Sequence, residues 1–152
     1  MPAPVFRHPD KVQLLLYREY LRQNMPSSSE GYVVEDLDLV IRAFQPSRPS
    51  KFKFQTDDEG KFRLMELKYG NAWITNGQRR TFGLMDRLMR KGDPDKQRYL
   101  GYFVIQYSNE DWNEAEFRIN GKQVTRDVFH RFLLFEDIGI LGLFDKAQHE
   151  LF

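Results

Sequence analysis

A single α/β sandwich, with a mixed sheet and helices on both faces, is the fold class this 152-residue sequence predicts. Three observations lead there. Helical and strand patterns follow one another in the order helix, strands, helix, strands, helix. The apolar segments between Gly and Pro punctuation are short and β-branched or aromatic, as in Leu37 to Phe44 and Tyr99 to Tyr107. The length suits one domain with a real core and leaves little room for a second.

The first helix runs from about Pro9 to Asn24, with Asp10 as a cap and Val12, Leu15, Leu16 and Tyr20 near helical spacing. Met25-Pro26-Ser27-Ser28-Ser29 ends it. Gly31 to Val34 and Leu37 to Phe44 read as strands, and the prolines of 45–50 require a loop. Residues 51–68 form a hairpin, with Phe52 and Phe54 alternating on the way out and Phe62 and Leu64 on the way back. Asp57-Asp58-Glu59-Gly60 supplies its turn, and the return strand continues through Tyr69 to stop at Gly70.

A helix from about Thr75 to Lys91 follows, ended by Gly92 and Pro94. The apolar strand Tyr99 to Tyr107 comes next, then a strand around Ala115 to Ile119 that turns at Asn120-Gly121. Thr125 caps a last helix whose apolar side carries Val128, Phe129, Phe132 and Leu133. The tail from Ile138 to Phe152 is apolar in patches and matches neither period.

Composition narrows the chemistry. Hydrophobic residues make up 41 % and charged residues 30 %, a soluble globular mix, and no apolar run approaches the roughly 20 residues a membrane span needs. The start, MPAPVFRHPD, lacks a signal-peptide pattern, so a cytoplasmic, intracellular protein without membrane contact is expected. The absence of cysteine excludes disulfides, thiolate metal sites and iron–sulfur clusters. His8, His130 and His149 show no zinc-site or dyad spacing. The net charge of +1 is unevenly spread. Residues 61–100 hold ten basic and four acidic groups, so a polyanion meets its favourable field mid-chain. Basic residues solvating a helix face would leave the same pattern.

Strand alternation puts Glu66 and Lys68 on one face, while Met65 and Leu67 point the other way. A Glu and a Lys on an apolar strand are costly to bury unless something pairs with them. Asp38 stands at the entry of the apolar run Leu39-Val40-Ile41, so two strands bring acids toward a possible common point. Mg²⁺ needs hard oxygen ligands but few of them, because it keeps several waters. Asp38, Glu66 and the backbone carbonyl of Leu67 would suffice. The Lys68 ammonium would orient a water or stabilise charge on phosphate oxygens.

Asp38-Leu39-Val40-Ile41, a hairpin-containing gap, and Met65-Glu66-Leu67-Lys68 together resemble the PD-(D/E)xK nuclease superfamily. The resemblance covers roughly residues 9–107 and leaves 108–152 as a C-terminal strand, helix and apolar tail. It implies a restriction-endonuclease-like fold across 1–152 and hydrolysis of DNA, or of RNA, with Mg²⁺ and with Mn²⁺ as a substitute. Asp38, Glu66 and Lys68 are then catalytic, with Asp38 and Glu66 as metal ligands. A helix follows the Glu-x-Lys strand in that superfamily, and here Gln78-Arg79-Arg80-Thr81-Phe82 opens one. This is similar to the Gln-x-x-x-Tyr motif of RecB-like branches, with Phe82 in place of Tyr. It implies that Gln78 positions a metal water or the scissile phosphate. A Holliday-junction-resolvase-like branch would add Glu19 as a metal contact, a role for which Glu30, Glu35 and Asp36 compete; a solvated helix acid is the plainer reading of Glu19.

Arg79 and Arg80 at a helix start suit phosphate binding. Lys51, Lys53, Lys61 and Arg63 on the hairpin would grip a duplex, or would merely solvate an edge. Tyr69 and Trp73 flank the site and suit either base stacking or ordinary packing. The expected function is a Mg²⁺-dependent endonuclease on branched or structured DNA. A homodimer or larger complex is expected, because so small a domain has little surface for gripping a branched substrate alone. A catalytically inert nuclease-fold module that binds nucleic acid or a protein partner is the alternative.

Overall fold

The computed structural model describes residues 11–24, 26, 28–30, 37–43 and 60–135. The strand expected at 31–34, the outgoing hairpin strand, Glu35, Asp36, Lys51, Lys53 and the tail 138–152 lie outside the described residues. The chain divides into two compact units, Met1–Val34 and Glu35–Phe152.

The first unit holds helix α1, Lys11–Asn24, and a short 3-10 turn, Ser28–Glu30. Leu16 and Tyr20, expected on an apolar stripe, are both exposed. Glu19 is held by its own helix: it accepts from Arg22 at 2.7 Å and from Gln23 at 3.0 Å.

The second unit is an α/β arrangement on a five-stranded open sheet. Its elements are β1 (Leu39–Ala43), β2 (Lys61–Tyr69), α2 (Asn76–Gly92), β3 (Tyr99–Tyr107), β4 (Phe117–Ile119), β5 (Lys122–Val124) and α3 (Arg126–Leu134). The strands lie in the order β1-β2-β3-β4-β5. The β2–β3 pair is parallel and the other pairs are antiparallel, so the sheet is mixed. A parallel pair needs a crossover, and α2 supplies it. The β4–β5 link is a two-residue hairpin at Asn120-Gly121, whose φ values of 51° and 82° suit a type I′ turn.

Two cores lie on the two faces of the sheet. On one, Phe82 of α2 packs with Leu64, Tyr99, Tyr102 and Val104. On the other, Phe129 and Phe132 of α3 pack with Met65, Phe103, Ile105, Phe117 and Ile119. Gly101 breaks the alternation of β3. Phe62 pairs with Tyr99 but Leu64 with Tyr102, so β3 carries one extra residue there. Gly101 takes φ 123°, open to glycine and strained for other residues. This bulge returns both tyrosines to the α2 face.

Helix α2 carries Phe82, Met85 and Met89 at helical spacing, yet only part of that stripe faces inward. Phe82 is buried and Met89 packs beside it, but Met85 is exposed and Asp86 is buried instead. Asp86 is accommodated because Tyr99 donates to it at 2.5 Å and Arg90 at 2.8 Å. Burial, followed by this bond to Asp86, pushes the Tyr99 phenol well above its usual range. None of the described helices is long and apolar enough to cross a membrane.

Candidate active site

The centre of the site is a polar interruption on the α2 face of β2. Phe62 and Leu64 enter the apolar core of that face, and two residues further along the same side stands Glu66, only 3 % exposed. Lys68 follows, its Nζ 3.2 Å from Glu66 Oε1. Alternation on a central strand is enough to bring these two together.

Gln78 of α2 closes the group. Its Nε2 donates to Glu66 Oε1 at 2.7 Å, and its Oε1 accepts from Lys68 Nζ at 3.0 Å. Local helix-start chemistry puts it there. Thr75 caps α2, its hydroxyl accepting from Gln78 N at 3.1 Å, while Gln78 Oε1 also accepts from Thr75 N at 3.0 Å. This is a capping box, in which the third helical residue reaches back over the first turn. Here the reach also delivers its amide to β2.

Asp38 arrives from the adjoining strand. Leu39 pairs with Met65, so Asp38 stands one step beyond the β1 ladder, level with Glu66. Its Oδ2 accepts from Leu67 N at 2.8 Å. Asp38, Glu66, Lys68 and Gln78, the four residues expected to be catalytic, thus come together from two neighbouring strands and one helix start. Leu67, expected to offer its carbonyl, meets the group through its N–H, which donates to Asp38.

The electrostatics is that of a carboxylate held partly against its will. Burial pushes the Glu66 carboxyl above its ordinary range, and the Asp38 charge adds to that; Lys68 and Gln78 pull it back. Glu66 Oε2 is buried and has no hydrogen-bond partner among the described residues. A buried, unpartnered carboxylate oxygen beside a second carboxylate suits a hard divalent cation. Among the described residues no group of three or more His, Cys, Asp and Glu gathers, so the side-chain donors offered here are the two carboxylates of Asp38 and Glu66.

The remaining expected contacts divide. Arg79 and Arg80 are exposed on the first turn of α2, next to Gln78. Lys61 opens β2, paired with Ala43 at the far end of the strand from Lys68. Arg63 is corrected outright as a surface grip. It points to the α3 face, is 1 % exposed, and its guanidinium lies 4.0 Å from the Phe135 ring centroid and 4.2 Å from that of Phe132. It also donates to the Phe132 carbonyl. The reason is that β2 is a central strand with both faces covered.

One residue beside the site went unnoticed in the sequence. Gln106 stands in register with Lys68 on β3, is buried, and donates to the carbonyls of Ala72 at 3.0 Å and Gly70 at 3.5 Å. It thereby holds the loop between β2 and α2. The signal was present: a lone amide in the apolar run Tyr99–Tyr107 wants a partner. Comparison with known proteins finds no matching family model, no matching curated protein and no matching solved structure.

Proposed function

We propose that the protein is a Mg²⁺-dependent nuclease that hydrolyses phosphodiester bonds of nucleic acid, DNA first. One observation carries this reading: Gln78 ties Glu66 and Lys68 together while Asp38 stands level with Glu66 on the adjoining strand. An ordinary surface ion pair needs neither a buried carboxylate nor a third residue bridging its two ends. The order of parts also supports the reading. An acid opens one strand, Glu-x-Lys lies on its antiparallel neighbour, and a crossover helix then leads to a parallel strand, the frame a PD-(D/E)xK nuclease requires.

Asp38 and Glu66 would hold the cation, which when bound polarises the phosphate and eases deprotonation of an attacking water. Lys68 places a positive charge where negative charge develops on the phosphate oxygens. Gln78 braces the Lys68–Glu66 pair, accepting from the ammonium and donating to the carboxylate. Arg79 and Arg80, exposed beside it, meet the flanking backbone phosphates. Water adds to phosphorus, the bond to the leaving ester oxygen breaks, and that oxygen takes up a proton.

The test is cleavage of linear and branched DNA and of RNA with Mg²⁺ or with EDTA, wild type against Lys68→Ala. Mg²⁺-dependent cutting that Lys68→Ala abolishes is expected. Silence of the wild type on every substrate, or equal cutting by Lys68→Ala, overturns the assignment.

A further inference from the structure

Helix α2 buries one side against the sheet and exposes the other. The exposed side carries Arg80, Leu84, Arg87, Leu88 and Lys91, whose spacing makes them neighbours on one helical face. Leu84 is 52 % and Leu88 61 % exposed, and Met85 beside them is exposed too. None of these three cations makes an ion pair among the described residues. The one acid of the helix, Asp86, is buried and bound to Arg90. A track for phosphates has no use for leucines at its centre. Apolar groups edged by charge are the pattern of a protein interface.

The opposite face of the same sheet carries the converse. Strand alternation directs Tyr69 away from Lys68 to the α3 side, where its ring lies 5.5 Å from that of Tyr107. The Tyr107 ring lies 5.1 Å from that of Trp112, which packs 5.3 Å from Phe117 in the α3-side core. Tyr69 and Trp112 remain 53 % and 38 % exposed. Loop 108–116, which holds Trp112, adds Glu110, Asp111, Glu114 and Glu116, all exposed, and contains no Lys or Arg. None of the four makes an ion pair among the described residues. Arg126 fixes the shape of the loop, donating to the carbonyls of Trp112, Asn113 and Ala115.

We propose that these two surfaces dock on each other between copies of this chain. The basic, leucine-centred face of α2 takes the acidic, aromatic ridge of Tyr69, Trp112 and loop 108–116 of a second copy. The signs of charge decide against the symmetric alternatives. Helix face on helix face would set three cations against three, and ridge on ridge four carboxylates against four. Only the crossed pairing joins opposite charges around apolar centres. Because the two surfaces lie on opposite faces of one sheet, the contact is head-to-tail. Each copy added leaves one surface of each kind free, so association continues into a chain or closes into a ring. The contact uses none of Asp38, Glu66, Lys68 and Gln78 and is therefore independent of the nuclease reading.

The experiment is sedimentation velocity of the full chain in EDTA, over a concentration series at low and at high salt. Leu88→Asp alters the helix face, and Glu110→Lys combined with Glu114→Lys alters the ridge; circular dichroism first shows that each variant folds. Wild type should grow in mass with concentration at low salt and fall back toward the monomer at high salt. Each variant alone should associate about tenfold or more weakly, since like charges then meet. An equimolar mixture of the two should restore association and stop at a one-to-one pair. The Leu88→Asp copy keeps its ridge and the other keeps its helix face, so one native junction forms. Wild type monomeric throughout, a variant as associated as wild type, or a mixture as monomeric as its parts overturns the proposal. So does a loss confined to Leu88→Asp, which would mean a symmetric contact between helices. A labelled oligonucleotide is titrated in parallel. Binding that Arg87→Glu weakens, with wild type a monomer, assigns the helix face to a polyanion instead and overturns the proposal as well.

Discussion

Gln78 Nε2 donates to Glu66 Oε1 at 2.7 Å, and this single bond joins the start of a helix to a buried carboxylate on the central sheet. The same amide group caps the helix through Thr75 N and receives Lys68 through its oxygen. Helix stability and site geometry therefore share one side chain, and substitutions at 78 separate them.

Gln78→Glu keeps an acceptor for Thr75 N and Lys68 but replaces the donor facing Glu66 with a like charge. The capping box should survive, since Glu serves at that position. The loss should appear at the site, where removing a supporting partner typically lowers activity or metal affinity by roughly 10- to 100-fold. Gln78→Ala should show the same loss and, in addition, a lower Tm from the weakened cap. Thermal melts in EDTA beside cleavage rates in Mg²⁺ check this; a Gln78→Glu variant as active as wild type would remove Gln78 from the site.

The second prediction concerns pH. The Glu66 carboxyl is raised in the folded protein, by burial first and by Asp38 second. A carboxyl whose folded pKa exceeds its unfolded value favours folding below the unfolded value, about 4.3, and loses that contribution as pH rises through the folded value. In EDTA at neutral pH, Glu66→Gln should therefore melt no lower than wild type. Near pH 4 the two should converge or wild type should lead. Mg²⁺ binds the ionised form, so it should raise the Tm of wild type at neutral pH, lose this effect as pH falls, and leave Glu66→Gln unmoved. A Mg²⁺ shift of equal size in both proteins would argue against Glu66 as a ligand.

Asp93, at the end of α2, gives a stability prediction apart from the site. Burial pushes its carboxyl up, but donors from the backbone N–H groups of Tyr99, Arg98 and Gln97 outweigh it and hold it below the usual range. Those contacts measure 2.7, 2.8 and 3.0 Å and join the helix end to the start of β3. A depressed carboxyl contributes stability above its unfolded pKa and loses it as pH falls through the folded value. Asp93→Ala should cost about 1–3 kcal/mol at neutral pH, since it strands backbone donors, and the gap to wild type should narrow in acid. Urea melts at neutral and acidic pH measure both.

Much of this arrangement was legible before the structure. The bounds of β2 and β3, the turn at Asn120-Gly121, the cap at Thr125 and the extent of α2 to within a residue follow from local pattern and turn chemistry. Gln78 was legible through the Gln-x-x-x-Phe pattern that opens the helix after the Glu-x-Lys strand. What escaped was set by partners distant in sequence. Asp86 displaces Met85 from the interior only because Tyr99 and Arg90 meet it there. Tyr102 faces α2 only because the bulge at Gly101 shifts the alternation of β3. Arg63 reads as a surface cation beside Lys61 until α2 and α3 are seen to cover the two faces of its sheet.

Arg63 carries the last prediction. Burial lowers its guanidinium to about 9, so it remains a cation at neutral pH but holds its proton less tightly than in the unfolded chain. By linkage this burial subtracts from stability at neutral pH, and the cost lessens as pH rises past the folded value. Among the described residues its Nε has no hydrogen-bond partner, and its contacts are the rings of Phe103, Phe132 and Phe135 and the Phe132 carbonyl. Replacing a buried cation with an apolar side chain of similar volume is often neutral or stabilising. Arg63→Met should thus melt at or above the wild-type temperature, whereas Arg63→Ala should lose on the order of 2 kcal/mol or more to the cavity it leaves. Neither should change the affinity for an oligonucleotide once folded, because the guanidinium does not reach the surface. A Met variant that folds as well as wild type but binds nucleic acid several-fold more weakly would return Arg63 to the binding surface.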